Sequence, residues 1–161
     1  MAYTVFRSDL LSGTNVAADL ISCRVYDADG KAIAVENGTI VELQGYEEGE
    51  REVMKAVLAS ASSNLANCAI IGTPEVMYDE RKKNLDEFIN EAGSICRGYI
   101  PRSCNMYSVT KEGFVGGTVA AKGAKVGIGE GGKLDAAGTG FGIIMAVEPA
   151  GRYTYYVVKI A

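Results

Sequence analysis

Apolar and polar positions alternate in short runs along most of the chain, and turn residues cut those runs at short intervals. This is the spacing of a sandwich or barrel of short strands. Tyr3 to Arg7 predicts a short strand ahead of a polar loop through Ser12-Gly13-Thr14-Asn15. Leu20 to Tyr26 predicts a strand, Asp27-Ala28-Asp29-Gly30 a turn, and Lys31 to Glu36 another strand. Asn37-Gly38 then predicts a type I′ reversal into Thr39 to Leu43, because both central residues of that turn need positive φ. Val53 to Ser60 satisfies neither period cleanly, but strands flank it, so a strand is expected there. Cys68 to Thr73 reads as a buried strand.

The pattern changes near residue 79. Leu85, Phe88, Ile89 and Ala92 fall at i, i+3, i+4 and i+7, which predicts one helix over residues 80–92. Asp79 and Glu80 suit its start, and Gly93 its C-terminal cap. Beyond it, Met106 to Thr110, Thr118 to Ala121, Lys125 to Ile128, Phe141 to Glu148 and Arg152 to Ile160 read as strands. In the last of these, Tyr153, Tyr155, Val157 and Lys159 share one face, and Tyr156, Val158 and Ile160 the other. The expected fold is therefore mainly β: an N-terminal β lobe over residues 1–78, a helical connector over 79–97, and a glycine-rich β lobe over 98–161. Gly38 to Leu43 and Gly123 to Ile128 are similar enough to suggest a duplication of the two lobes.

Composition narrows the chemistry. Histidine, the usual general base at neutral pH and the commonest metal ligand, does not occur among the 161 residues, nor does tryptophan. A Ser-His-Asp or Cys-His arrangement is therefore impossible, and nothing in the sequence places a Ser–Lys dyad. Asp27, Asp29 and Glu36 lack the spacing of a calcium loop. A zinc site would need all four cysteines; Cys23 and Cys68 instead sit in apolar runs, where a free thiol behaves as a small hydrophobe. Gly127-Ile128-Gly129-Glu130-Gly131-Gly132 matches G-x-G-x-x-G, but the following residues cannot sustain the helix a dinucleotide site requires, so a glycine-rich turn is expected. The sequence reads as no enzyme, with no cofactor and no metal.

Charge is uneven. Residues 1–80 carry 5 Lys/Arg against 13 Asp/Glu, and residues 81–161 carry 11 against 7, so the halves net −8 and +4. Such a chain is a poor nucleic-acid binder, and no apolar run is long enough to span a membrane. The asymmetry instead suits contact between the acidic part of one copy and the basic part of another.

The stretch Pro74 to Gly93, with Arg97-Gly98-Tyr99, Tyr107-Ser108-Val109-Thr110 and the closing Gly151 to Val158, resembles capsid decoration, or cement, proteins of tailed bacteriophages. The second lobe resembles the β-tulip of lambda-type members. That resemblance implies a homotrimer on the outer capsid surface, bound to the major capsid protein and made in the bacterial cytoplasm. It also implies a capsid-binding arm, here Tyr3, Thr4, Val5, Phe6 and Arg7, that adds a strand to the shell. Tyr153, Tyr155 and Val157 are the residues expected at the interface between copies. The alternative is a head-fibre or accessory protein that binds host surface glycans. A small carboxylate hydrolase and a tail-tube protein are more distant readings.

Overall fold

Five strands close a barrel: β1 (Leu20–Tyr26), β2 (Ile40–Tyr46), β3 (Val53–Leu58), β4 (Cys68–Ile71) and β5 (Cys96–Tyr99). Their order around it is β1-β3-β2-β4-β5 in the computed structural model, which describes residues 2–7, 19–79, 81–82 and 84–161. Every neighbouring pair is antiparallel except β1 and β3. Alternate side chains point inward, so Cys23, Val25, Val41, Ala56, Ala69, Ile71 and Cys96 fill the interior. None carries a ring, as a barrel of only five strands demands.

Five further strands form an open sheet in the order β6-β10-β9-β7-β8. They are β6 (Met106–Val109), β7 (Lys125–Ile128), β8 (Leu134–Asp135), β9 (Gly142–Ala150) and β10 (Tyr153–Ile160). The β9–β10 hairpin turns at Gly151-Arg152 with Gly151 at φ +61°, the first central residue of a II′-type reversal. Tyr107, Val109, Val126, Ile144, Val158 and Ile160 face the barrel. They pack there against Ile40, Cys68 and Ile70, outward-facing side chains of β2 and β4. A second core thus lies between barrel and sheet, and the two lobes are joined through it.

The mainly β expectation is met, and most predicted strands lie within a residue or two of the observed ones. Several expectations need correction. The helix over residues 80–92 is reduced, among the described residues, to the single 3-10 turn Leu85–Glu87. Buried Asn90 explains this: its backbone pairs with that of Val35 in both directions, and its amide donates to Val35 O and Asn37 Oδ1, each at 3.0 Å. A helix would have taken those backbone groups for itself. Cys96–Tyr99, divided in the sequence reading between connector and second lobe, is the strand that closes the barrel. Lys31 to Glu36 makes only two isolated bridges, at Ala32 and Val35. The reversal after it is a type II turn, since Gly38 has φ +86° while Asn37 keeps negative φ. Thr118 to Ala121 forms no strand. The similar stretches Gly38–Leu43 and Gly123–Ile128 lie in a closed barrel and an open sheet, so no shared topology accompanies them.

Candidate functional site

The segment Tyr3 to Arg7 already occupies a sheet edge, and the sheet is its own. Arg7 N donates to Ser108 O at 3.1 Å and Thr110 N to Val5 O at 3.2 Å, which lays the segment antiparallel beside β6. Thr4, Val5 and Phe6 are buried. The Phe6 ring sits between Tyr107 and Tyr99, with centroids 5.8 and 6.3 Å away, in the core between barrel and sheet. These arm residues are brought together, but as part of the folded body. The polar loop after them, Ser12 to Asn15, lies outside the described residues.

Glu36 fastens this arrangement. One of its carboxylate oxygens accepts from Thr4 N at 2.8 Å and Thr4 Oγ1 at 2.5 Å, and the other lies 3.3 Å from Lys133 Nζ. Lys133 also donates to Glu112 O at 2.9 Å. Arm, barrel loop and open sheet therefore meet at one carboxylate. Asp86 ties the hairpin tip to the same side: it pairs with Arg152 at 3.0 Å and accepts from Tyr153 Oη at 3.1 Å, while its carbonyl accepts from Tyr3 N. A cleft of about 340 Å³ lies beside it, lined in part by Val5, Lys111, Arg152, Tyr153 and Thr154. Its Arg152 and Asp86 charges already answer each other.

The three residues expected between copies therefore separate. Tyr153 is bonded to Asp86 and carries the Arg152 guanidinium 5.3 Å from its ring centroid. Burial first, and then the Asp86 bond, push its phenol above the ordinary tyrosine range. Tyr155 is buried with the Arg7 guanidinium 5.3 Å from its ring centroid. Val157 remains partly exposed on the sheet's outer face.

Residues that the sequence reading passed over form the exposed apolar surface. On the outer face, register aligns Met106, Lys159, Ile143 and Lys125 in one row across β6, β10, β9 and β7, with Val157 in the next. Met145, left unpaired at the β9 bulge, is 42% exposed beside them. A second set lies on the long β4–β5 connection, where Val76, Tyr78, Leu85 and Ile95 are exposed, Tyr78 to 94%. Tyr46, 69% exposed, ends β2 next to the acidic turn Glu47 to Glu52. On the barrel's flank, Glu47 accepts from Tyr26 Oη and pairs with Arg24 at 2.8 Å, which together hold its carboxyl below the usual range. Alternating runs hinted at the β9 residues, but nothing local distinguishes an apolar strand face that meets a core from one that meets solvent.

Among the described residues no group of three or more Cys, Asp or Glu side chains is placed to hold a metal ion, and no helix is long and apolar enough to cross a membrane. The described residues form a β barrel fused to an open sheet, with exposed apolar side chains on each. Comparison with family models, curated proteins and solved structures gives no match to this chain.

Proposed function

We propose that this chain is a structural decoration protein that binds the outside of a tailed-phage head and clamps neighbouring capsid subunits. The observation that carries the reading is the division of the exposed large apolar side chains. One group, Val76, Tyr78, Leu85 and Ile95, belongs to the barrel's long β4–β5 connection; a second, Met106, Ile143, Met145 and Val147, belongs to the open sheet; Tyr46 at the end of β2 and Val119 between β6 and β7 stand apart from both. Contiguous exposed apolar surface marks protein contact sites. A clamp needs at least two such places, so that it can touch two partners at once. A ligand that binds only the closed arrangement of a shell stabilises it by mass action, and several joined copies gain through effective concentration. No bond has to be made or broken for this.

The buried arm changes how attachment would work. With Phe6 fixed in the core, the β4–β5 connection is the better shell-facing surface, because its apolar groups already stand in solvent. Co-sedimentation of the full chain with empty phage heads tests the reading. Saturable pelleting is expected, lost when Val76 and Tyr78 are both replaced by Ser, together with a higher bursting temperature for decorated heads. Heads that neither pellet the protein nor gain stability from it would overturn the proposal.

A further inference from the structure

The outer face of the open sheet and the acidic end of the barrel are complementary in both shape of chemistry and sign of charge. On the sheet, Met106, Val157, Ile143 and Met145 make an apolar strip, with Lys159 between Met106 and Ile143 and Lys125 at its border. At the barrel end, the exposed ring of Tyr46 is followed by Glu47, Glu48, Glu50 and Glu52, interrupted by a single Arg51. Glu47 already pairs with Arg24, and Glu50 lies 3.5 Å from the same guanidinium. Glu48 and Glu52 are exposed and, among the described residues, make no ion pair.

The two surfaces cannot meet within one copy. β2 starts at Ile40, in the core shared with the sheet, and runs to Tyr46, roughly 20 Å farther at ~3.3 Å per residue. The sheet turns its inner face to the barrel and its outer face away. A strip bordered by ammonium groups at one end of the molecule and a ring bordered by carboxylates at the other fit only between molecules.

We propose that the occupant of the sheet's outer face is the acidic barrel end of a second copy, with Tyr46 packed on the Ile143–Met145 strip and Glu48 and Glu52 set against Lys125 and Lys159. An aromatic ring in a desolvated apolar patch is the usual anchor of an interface, and flanking charges fix its direction. The contact uses different surfaces on the two copies, so it is heterologous: one copy is left with a free barrel end and the other with a free sheet face. Such contacts close into a ring or extend as a filament. The proposal rests on the reading of the sheet face as a contact surface, and it is separable from attachment to a shell.

Charge reversal tests it on the full chain, with thermal unfolding of each variant as a control for folding. Sedimentation equilibrium should show the protein larger than a monomer at low salt, with association weakened about tenfold or more at high salt. Lys125→Glu with Lys159→Glu should give monomers, as should Glu48→Lys with Glu52→Lys. Combining all four substitutions should restore association, and Tyr46→Ser should weaken it without changing the salt response. A wild-type protein that stays monomeric at all concentrations, or reversed variants that associate like wild type, would overturn the contact. Shell binding by a monomer would defeat this proposal alone, whereas self-association without shell binding would defeat only the decoration role.

Discussion

The interior of the barrel and the core beneath the open sheet are built from different side chains. Inside the barrel are Val, Ala, Ile and Cys, and no aromatic ring lies among its buried residues. Between barrel and sheet are Phe6, Tyr107, Phe114 and Phe141, with Tyr99 and Tyr156 packed at the margin. Phe114 and Tyr156 meet edge to face at 5.3 Å, and Tyr107 and Phe141 do so at 6.1 Å. Large rings bury the most area and gain from such geometry. The junction, more than either lobe's own interior, therefore holds the apolar contacts whose loss would cost most. A barrel that looks like a domain is one half of a shared core.

The most damaging way to break that junction is at Gly132. A Cβ there would lie 2.1 Å from the Ile40 carbonyl oxygen, and the residue has φ +69°. Gly131 has the same φ with open space around it. Gly131→Ala should cost only the left-handed strain, about 1–2 kcal/mol. Gly132→Ala should cost about 3 kcal/mol or more, because barrel and sheet must also separate. Equal losses in denaturant titrations would mean that the lobes do not depend on this close approach.

Of the same order is the first of a pair of truncations. Phe6→Ala should cost about 3–5 kcal/mol, because its ring is buried in the core between barrel and sheet. Val25→Ala, inside the barrel, should cost about 2 kcal/mol. The reverse order would place the weight of the fold in the barrel. A gentler probe is Tyr107→Phe. The Tyr107 hydroxyl is buried and, among the described residues, has no hydrogen-bond partner, and burial drives its phenol well above the ordinary range. Removing it should leave stability unchanged or raise it by about 1 kcal/mol. A clear loss would show that the hydroxyl is satisfied in solution.

Thiol chemistry examines the barrel side of the comparison. Cys104 is exposed, whereas Cys23, Cys68 and Cys96 are buried. Burial pushes the Cys23 thiol to about 12 and the Cys68 thiol to about 11. A thiol reagent should modify Cys104 quickly in the native protein and the other three only after unfolding. Because the folded thiols hold their protons more tightly than the unfolded ones, their contribution to stability is complete below the ordinary thiol range. It declines as pH rises through that range towards about 12. Rapid native labelling of Cys23 would mean an interior open to solvent.

The strands were legible where local pattern and burial agree. β1 alternates over Ser22-Cys23-Arg24-Val25, β7 and β10 are short apolar-rich runs bounded by turn residues, and each lies close to its expected place. β5 was not legible, because Cys96-Arg97-Gly98-Tyr99 has no β-branched residue. Gly98 is required there by contact: a Cβ would approach Ile21 Cγ1 to 2.8 Å. The helical spacing of Leu85, Phe88, Ile89 and Ala92 was real but lost to tertiary demand. Asn90 serves Val35 and Asn37, 55 and 53 positions away, and no local window contains that information. The same limit applied to the candidate surfaces. Alternation on β10 separated its two faces correctly, yet it could not show that Asp86 and Arg7 would claim Tyr153 and Tyr155 while Val157 stayed accessible.

The smallest expected effect concerns the barrel's flank, where charge rather than packing acts. Glu47 accepts from Tyr26 Oη and from Arg24, and these bonds lower its carboxyl below the usual range. A carboxylate with a depressed folded value contributes stability at pH values above its unfolded range. That contribution is lost as pH falls through the folded value. Glu47→Gln should therefore flatten the acid limb of the stability curve slightly and leave the neutral region almost unchanged, since solvent screens the cluster. The effect should shrink further in high salt. If Glu47→Gln instead destabilised the protein at neutral pH as much as Phe6→Ala does, the barrel would depend on this ionic seam, and the contrast between its light interior and the aromatic junction would fail.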